Sequence, residues 1–245
     1  MNGIFYFSST GNSLYIAKRV KDTLDGEIIY IPKYQGDGSE FDKIIIVSPI
    51  YSYGLPAHTY DFLLNINNTI PTYIILNYGG MTGGADWFTY NLAKEHGKNI
   101  LGVYTMKMPE NFTLTFTVPS FYCNSTLKKA PKAVDKIIAK IASGEISAPK
   151  KAKTKEEKYY TNKSNWHHLA DDFSASENCV KCGKCVDVCP VGNIALENGV
   201  IKFADKCVAC LGCYHRCPQK AIIYKGRNKN DRYFNPNVDE NELGK

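Results

Sequence analysis

Eight of the nine cysteines lie between Cys179 and Cys217. They repeat one spacing, C-x2-C-x2-C-x3-C-P, first as CVKCGKCVDVCP and again 28 positions later as CVACLGCYHRCP. Three thiolates two residues apart can turn about one corner set of a metal–sulfur core, provided that small loops aim backbone amides at the sulfurs. The fourth cysteine, displaced by an extra residue and a proline, is carried toward the other copy. Such dense thiols suit metal binding rather than disulfides where the surroundings are reducing. Two chemistries compete, an iron–sulfur cubane and structural zinc. Zinc sites typically pair C-x2-C knuckles across longer loops, whereas a triplet plus one, followed by proline, favours the cubane. Cys123 has no partner pattern and is expected to be a buried, inert thiol.

A second chemical signal sits near the start, in FYFSSTGNSLYIAKRV. Ser8, Ser9, Thr10, Asn12 and Ser13 offer side-chain donors, and Gly11 lets the backbone curl so that several N–H groups face inward. A helix starting near Ser13 adds its N-terminal dipole to an anion site. The loop has no Lys or Arg, which argues against a P-loop, and G-x-G-x-x-G is missing. A monophosphate held by hydroxyls and amides matches better; ordinary turns and caps use the same residue types.

These signals need elements to position them. GIFYF, EIIYI, KIIIVSP, TYIILNY and NILGVYTM read as strands, and Ser13–Leu24, Ala57–Leu64 and Ala85–His96 read as helices. Strands alternating with helices predict βαβ units and a parallel sheet. Strands apolar on both faces predict a sheet covered on both sides. The loops after the third and fourth strands then open on the same edge as the Ser8–Ser13 loop, where such sheets take ligands. They are Pro49, Ile50, Tyr51, Ser52, Tyr53 and Gly54, and Asn77, Tyr78, Gly79 and Gly80. Both combine glycine, which admits a close ligand, with tyrosine, which can stack on a ring or simply pack.

Residues 109–126 fit no period and are expected to be irregular, either lidding a ligand or forming a surface insertion. LKKAPKAVDKIIAKIASGE restores helical spacing and closes a first domain over 1–145. Residues 146–176 read as a lysine-rich linker or packed connection. A cysteine domain covers 177–225, and 226–245 reads as a polar, mobile tail. His167 and His168 are adjacent and do not converge as a ligand pair. The lysines of 150–158 read as a solvated run.

Apolar residues make up 44% of the chain, enough for one large core or two smaller ones. No apolar run approaches a membrane helix, and the opening residues lack signal-peptide character; a cytoplasmic protein without membrane insertion is expected. The formal charge of +6 invites nucleic acid as a partner. That partner is not expected, because two thiolate-held cubanes of about −2 each offset most of the excess.

The repeat resembles the bacterial-type ferredoxin module with two [4Fe–4S] clusters. By that resemblance one cluster takes Cys179, Cys182, Cys185 and Cys217, and the other Cys207, Cys210, Cys213 and Cys189. The Ser8–Ser13 loop resembles the phosphate loop of flavodoxins, and the likeness extends over 1–145. It implies FMN, with Pro49–Gly54 and Asn77–Gly80 flanking the ring. The whole chain resembles flavodoxin–ferredoxin fusion proteins. The implied fold is α/β, a flavodoxin-like doubly wound parallel five-stranded sheet, with a small α+β two-cluster ferredoxin-like domain. The implied function is electron passage between a protein donor or acceptor (ferredoxin-like or a reductase), two clusters and FMN, with a small molecule reduced at the flavin. The alternative is a pure carrier or adaptor between two redox proteins. No acid–base residue is assigned, since the three loops hold no carboxylate or histidine.

Overall fold

The computed structural model describes residues 1–227 and 232–244. Five strands, β1 (Asn2–Tyr6), β2 (Glu27–Tyr30), β3 (Lys43–Pro49), β4 (Thr72–Tyr78) and β5 (Ile100–Lys107), form one parallel sheet in the order β2-β1-β3-β4-β5. Alternate side chains feed two cores. Ile4, Tyr6, Ile45, Val47, Tyr73 and Ile75 face α1 (Asn12–Leu24) and α4 (Ser120–Ala142). Phe5, Phe7, Ile44, Ile46, Ile74 and Leu76 lie on the other face, with α2 (Ala57–Asn65) and α3 (Ala85–Glu95). This double covering explains why the strands are apolar at nearly every position. The strand order is that of the flavodoxin-like doubly wound fold, whose ligand crevice opens where β1 and β3 diverge.

The later part of the chain is built from short pieces. They are α5 (Glu156–Asn165), a 3-10 stretch over Trp166–Asp172, β6 (Phe173–Ala175), α6 (Lys184–Asp187), β7 (Ile194–Glu197), β8 (Val200–Phe203), α7 (Gly212–His215) and β9 (Ile222–Tyr224). β7 pairs antiparallel with β8, and β9 pairs antiparallel with β6. The 28-residue repeat reappears in the backbone. Lys181 and Ala209, Gly183 and Leu211, and Gly192 and Lys220 all have positive φ, between 50° and 77°.

Two segments, 120–126 and the tail, differ from expectation. Residues 120–126 are helical, because Pro119 starts α4 early and the helix buries Thr126, Ala130, Val134, Ile137, Ile138 and Ile141. Its Pro131 sits inside the helix, at the cost of a backbone hydrogen bond. Residues 146–176 pack against both parts of the chain. Their Tyr159 and Trp166 are buried against Phe88 and Leu92 of α3, and β6 joins the cysteine module's strands. The tail over 232–244 is packed rather than mobile, with Asn235, Val238 and Leu243 buried, while 228–231 and 245 lie outside the described residues. Composition alone hides this, because the tail's polar groups are satisfied by partners distant in sequence.

Candidate functional site

The loop after β1 is buried, with Ser8, Ser9, Thr10, Asn12 and Ser13 each at most 8% exposed. Gly11 takes φ 89° at the start of α1, a left-handed geometry that favours glycine. The gap beside it is filled by Phe234 and Asn235, with Asn235 Cβ 3.1 Å from where a Gly11 side chain would begin. Ser8 Oγ accepts from the Gly11 N–H at 3.0 Å. Thr10 Oγ1 accepts from Asn111 Nδ2 at 2.7 Å, and Ser13 Oγ accepts from Asn77 Nδ2 at 2.9 Å. Each of those hydroxyls keeps its proton for a further acceptor. Asn12 is used differently. Its Nδ2 donates to the Pro109 carbonyl, and its Oδ1 accepts from Tyr233 OH and Asn235 Nδ2.

After β3, Tyr51 and Gly54 exchange backbone hydrogen bonds of 2.9 and 3.0 Å around Ser52 and Tyr53. Both central residues have positive φ, 48° and 76°. Such turns normally use Asn or Gly there, so this loop holds a strained backbone. Packing enforces it. Tyr159 of α5 fills the space a Gly54 side chain would need, at 2.5 Å, and donates its hydroxyl to the Leu55 carbonyl at 2.8 Å. The Tyr53 ring lies over Gly83 and beneath the Lys155 and Lys158 ammonium groups, 4.4 and 5.5 Å from its centroid. Those lysines belong to the run expected to be solvated; two of them lie over this ring.

These loops line a cavity of about 670 Å³. Asn12, Pro49–Tyr53, Asn77–Met81 and Pro109–Phe112 form one side. A second wall comes from Lys158, Asn162, Asn165, Trp166, His168, Leu169 and Asp172, and a third from Ala209, Cys210 and Leu211. Sequence reasoning missed the 158–172 wall and the carboxylate of Glu110. The signal for Glu110 was its position just after β5, on the edge that carries the other loops.

Cys210 stands where the two regions meet. It packs into the core that includes Phe7, with Tyr30 and Tyr51 beside it. Burial raises the Tyr51 phenol well above its ordinary value, and the nearby Cys210 raises it further. Burial also pushes the Cys210 thiol up to about 12.

Burial is the main cause that raises the Cys185 and Cys213 thiols; beyond it Cys217 and Cys179 act on Cys185, and Cys210, Cys207, Cys189 and Cys185 act on Cys213. Backbone amides reach the sulfurs, and the pattern repeats with the sequence. The Asn193 N–H meets Cys189 Sγ and the Ala221 N–H meets Cys217 Sγ, both at 3.2 Å. The Ala209 N–H meets Cys207 Sγ at 3.4 Å. Among the described residues no three His, Cys, Asp or Glu side chains gather tightly enough to hold a single metal ion. Cys182 is exposed and Cys185 is buried. Cys123 is half-buried, with burial raising its thiol pKa. His168 reaches the cavity wall, its Nδ1 3.1 Å from Asp171.

A flavodoxin domain model matches residues 3–85, and a 4Fe-4S dicluster domain model matches residues 178–223. An uncharacterized ferredoxin of Methanocaldococcus jannaschii is 43% identical over 54 residues, 20% of this chain and 70% of that protein. Pyruvate synthase subunit PorD of the same organism is 47% identical over 49 residues, 19% of this chain and 57% of the subunit. Among solved structures, a Fusobacterium nucleatum flavodoxin variant bound to flavin mononucleotide is 18% identical, with TM-score 0.43, over 58% of this chain and 95% of that one. Two-electron reduced Megasphaera elsdenii flavodoxin is 17% identical, with TM-score 0.38, over 43% of this chain and 85% of that one.

The cysteine module and the two domain-model matches define an electron-transfer protein of the flavin/iron–sulfur class. Through residues 178–223 the chain belongs to the 4Fe–4S dicluster ferredoxin family, here fused to a flavodoxin domain. The cofactor classes of the two domains are FMN and two [4Fe–4S] clusters. Among the described residues no helix is long and apolar enough to cross a membrane.

Proposed function

We propose that the chain passes electrons between a protein redox partner, two [4Fe–4S] clusters and FMN, and reduces a small acceptor at the flavin. One observation carries this: a single cavity is lined by both candidate flavin loops and by Cys210 with its two neighbours. When bound, FMN exchanges two electrons and a cubane passes one at a time.

The phosphate belongs at Ser8–Ser13. There Thr10 and Ser13 each accept from an asparagine amide and keep a hydroxyl proton to donate, the first amides of α1 have no intrahelical acceptor, and Asn12 contributes its backbone while its side chain holds neighbouring segments together. The ring belongs between Pro49–Gly54 and Asn77–Gly80. The quartet of Cys207, Cys210, Cys213 and Cys189 is the inner one, beside the cavity. The quartet of Cys179, Cys182, Cys185 and Cys217 is the outer one, and exposed Cys182 gives it a face toward a partner protein. The wall over 158–172 offers amide, imidazole and ammonium groups beyond the two flavin loops, and these suit a small acceptor rather than a pure carrier. We place the unit limits near residues 145 and 177, and the protein in the cytoplasm, where the eight thiols stay reduced.

The test is anaerobic purification with metal, sulfide and flavin analysis. The expected result is about eight irons per chain with stoichiometric FMN, and reduction of the clusters followed by bleaching of the flavin. Zinc in place of iron, or a flavin that stays oxidised while the clusters are reduced, overturns the proposal.

A further inference from the structure

Glu110 follows Pro109 beyond the end of β5 and lies against the Asn77–Gly80 loop. A side chain on Gly79 would begin 2.4 Å from Glu110 Cα and 2.7 Å from its Oε2, and one on Gly80 would begin 3.5 Å from Oε2. Gly79 therefore makes room for this residue, while Gly80 lies at ordinary contact distance from it. Its Oε1 accepts from the Asn111 N–H at 3.0 Å and the Phe112 N–H at 2.9 Å, which fixes the carboxylate. Among the described residues no cation forms an ion pair with it. The other carboxylate on the cavity wall, Asp172, is paired with Lys225 at 3.3 Å. Among the described residues Glu110 thus places a fixed carboxylate without an ion-pair partner on the wall, which Lys158 also lines.

We propose that Glu110 sets the electron affinity of the flavin; the inference rests on FMN lying between these loops. A negative charge at the ring's edge opposes every electron added without a proton. It therefore keeps the bound flavin a strong reductant and favours electron entry coupled to proton uptake. Neutralising Glu110 relieves that opposition and makes the flavin easier to reduce.

The test uses the full chain with its cofactors, under anaerobic conditions, equilibrated with a one-electron viologen of known potential. The viologen gives up one electron and the flavin gains it, read from their visible absorbance. Glu110→Gln is expected to shift this exchange roughly tenfold toward reduced flavin, about 59 mV for one electron. Glu110→Asp, which keeps the charge, should stay near wild type. Asp172→Asn should shift the exchange by less than half as much, because its charge is already offset by Lys225. An unchanged constant in a Glu110→Gln protein that retains FMN and iron overturns the proposal. So does a Glu110→Gln protein that loses its flavin, because the residue then serves retention rather than potential. Wild-type protein without FMN defeats the underlying flavin assignment instead, and that result is read before any variant is made.

Discussion

Ser9 Oγ donates a hydrogen bond of 2.5 Å to the carbonyl of Cys210, 201 positions away in sequence. Ser9 belongs to the loop proposed for phosphate, and Cys210 to the inner cysteine quartet. Gly212 fits the contact, since a side chain there would begin 3.6 Å from Ser9 Cβ. A second tie runs beside it. His215 Nε2 donates to the Asn111 carbonyl at 2.7 Å, and its Nδ1 accepts from the Tyr233 N–H at 3.1 Å. Burial holds this imidazole neutral, with its pKa pushed down to about 4. The two regions are thus joined through their proposed binding loops, which keeps the proposed electron route short.

The exposure difference between Cys182 and Cys210's surroundings predicts separable losses. Cys182→Ala should lower iron from about eight to about four per chain and leave FMN in place. Cys210→Ala should remove the inner cluster and stop electrons from passing between the outer cluster and the flavin. Iron, sulfide and flavin assays, with stopped-flow reduction, check both. Full iron in Cys182→Ala would exclude it from the ligand set.

Ser13 and Thr10 each accept a hydrogen bond from an asparagine amide and keep a proton to donate. Ser13→Ala and Thr10→Ala should each weaken FMN binding by about 1.5–3 kcal/mol, roughly tenfold to a hundredfold in Kd. Fluorescence titration of apoflavin protein measures this. Wild-type affinity in both variants would move the phosphate to another part of the chain.

Asn235 is fully buried, donates its backbone N–H to the Thr10 carbonyl at 2.9 Å and its Nδ2 to Asn12 Oδ1 at 3.0 Å. Asn235→Ala keeps the backbone bond and loses the amide. It should cost about 1–3 kcal/mol of stability and speed FMN release without changing iron content. Denaturant unfolding and flavin dissociation rates test it; a variant as stable as wild type would mean that the tail merely rests on the surface.

The strands and the cysteine repeat were legible because their signals are local. Val, Ile and aromatic runs mark β1 to β5, and the 28-residue repeat returns as paired positive-φ positions such as Lys181 and Ala209. The Ser8–Ser13 loop was legible from one glycine and its hydroxyl neighbours. What escaped depends on contacts far apart in sequence. Asn235 reads as a tail residue until it meets Thr10 and Asn12. Glu110 gains its meaning only from Gly79, across the strand ends.

β6 lies before the first cysteine triplet, yet its Phe173, Ser174 and Ala175 pair with Tyr224, Ile223 and Ile222 of β9, beyond the second. Excision at residue 177 would therefore strip a strand from the smaller module, together with Phe173 from its core. Anyone wishing to transplant that module as a portable wire must begin the cut upstream, where the same stretch of chain also walls the cavity proposed for the flavin. Neither half can be inherited cleanly without a piece of the other.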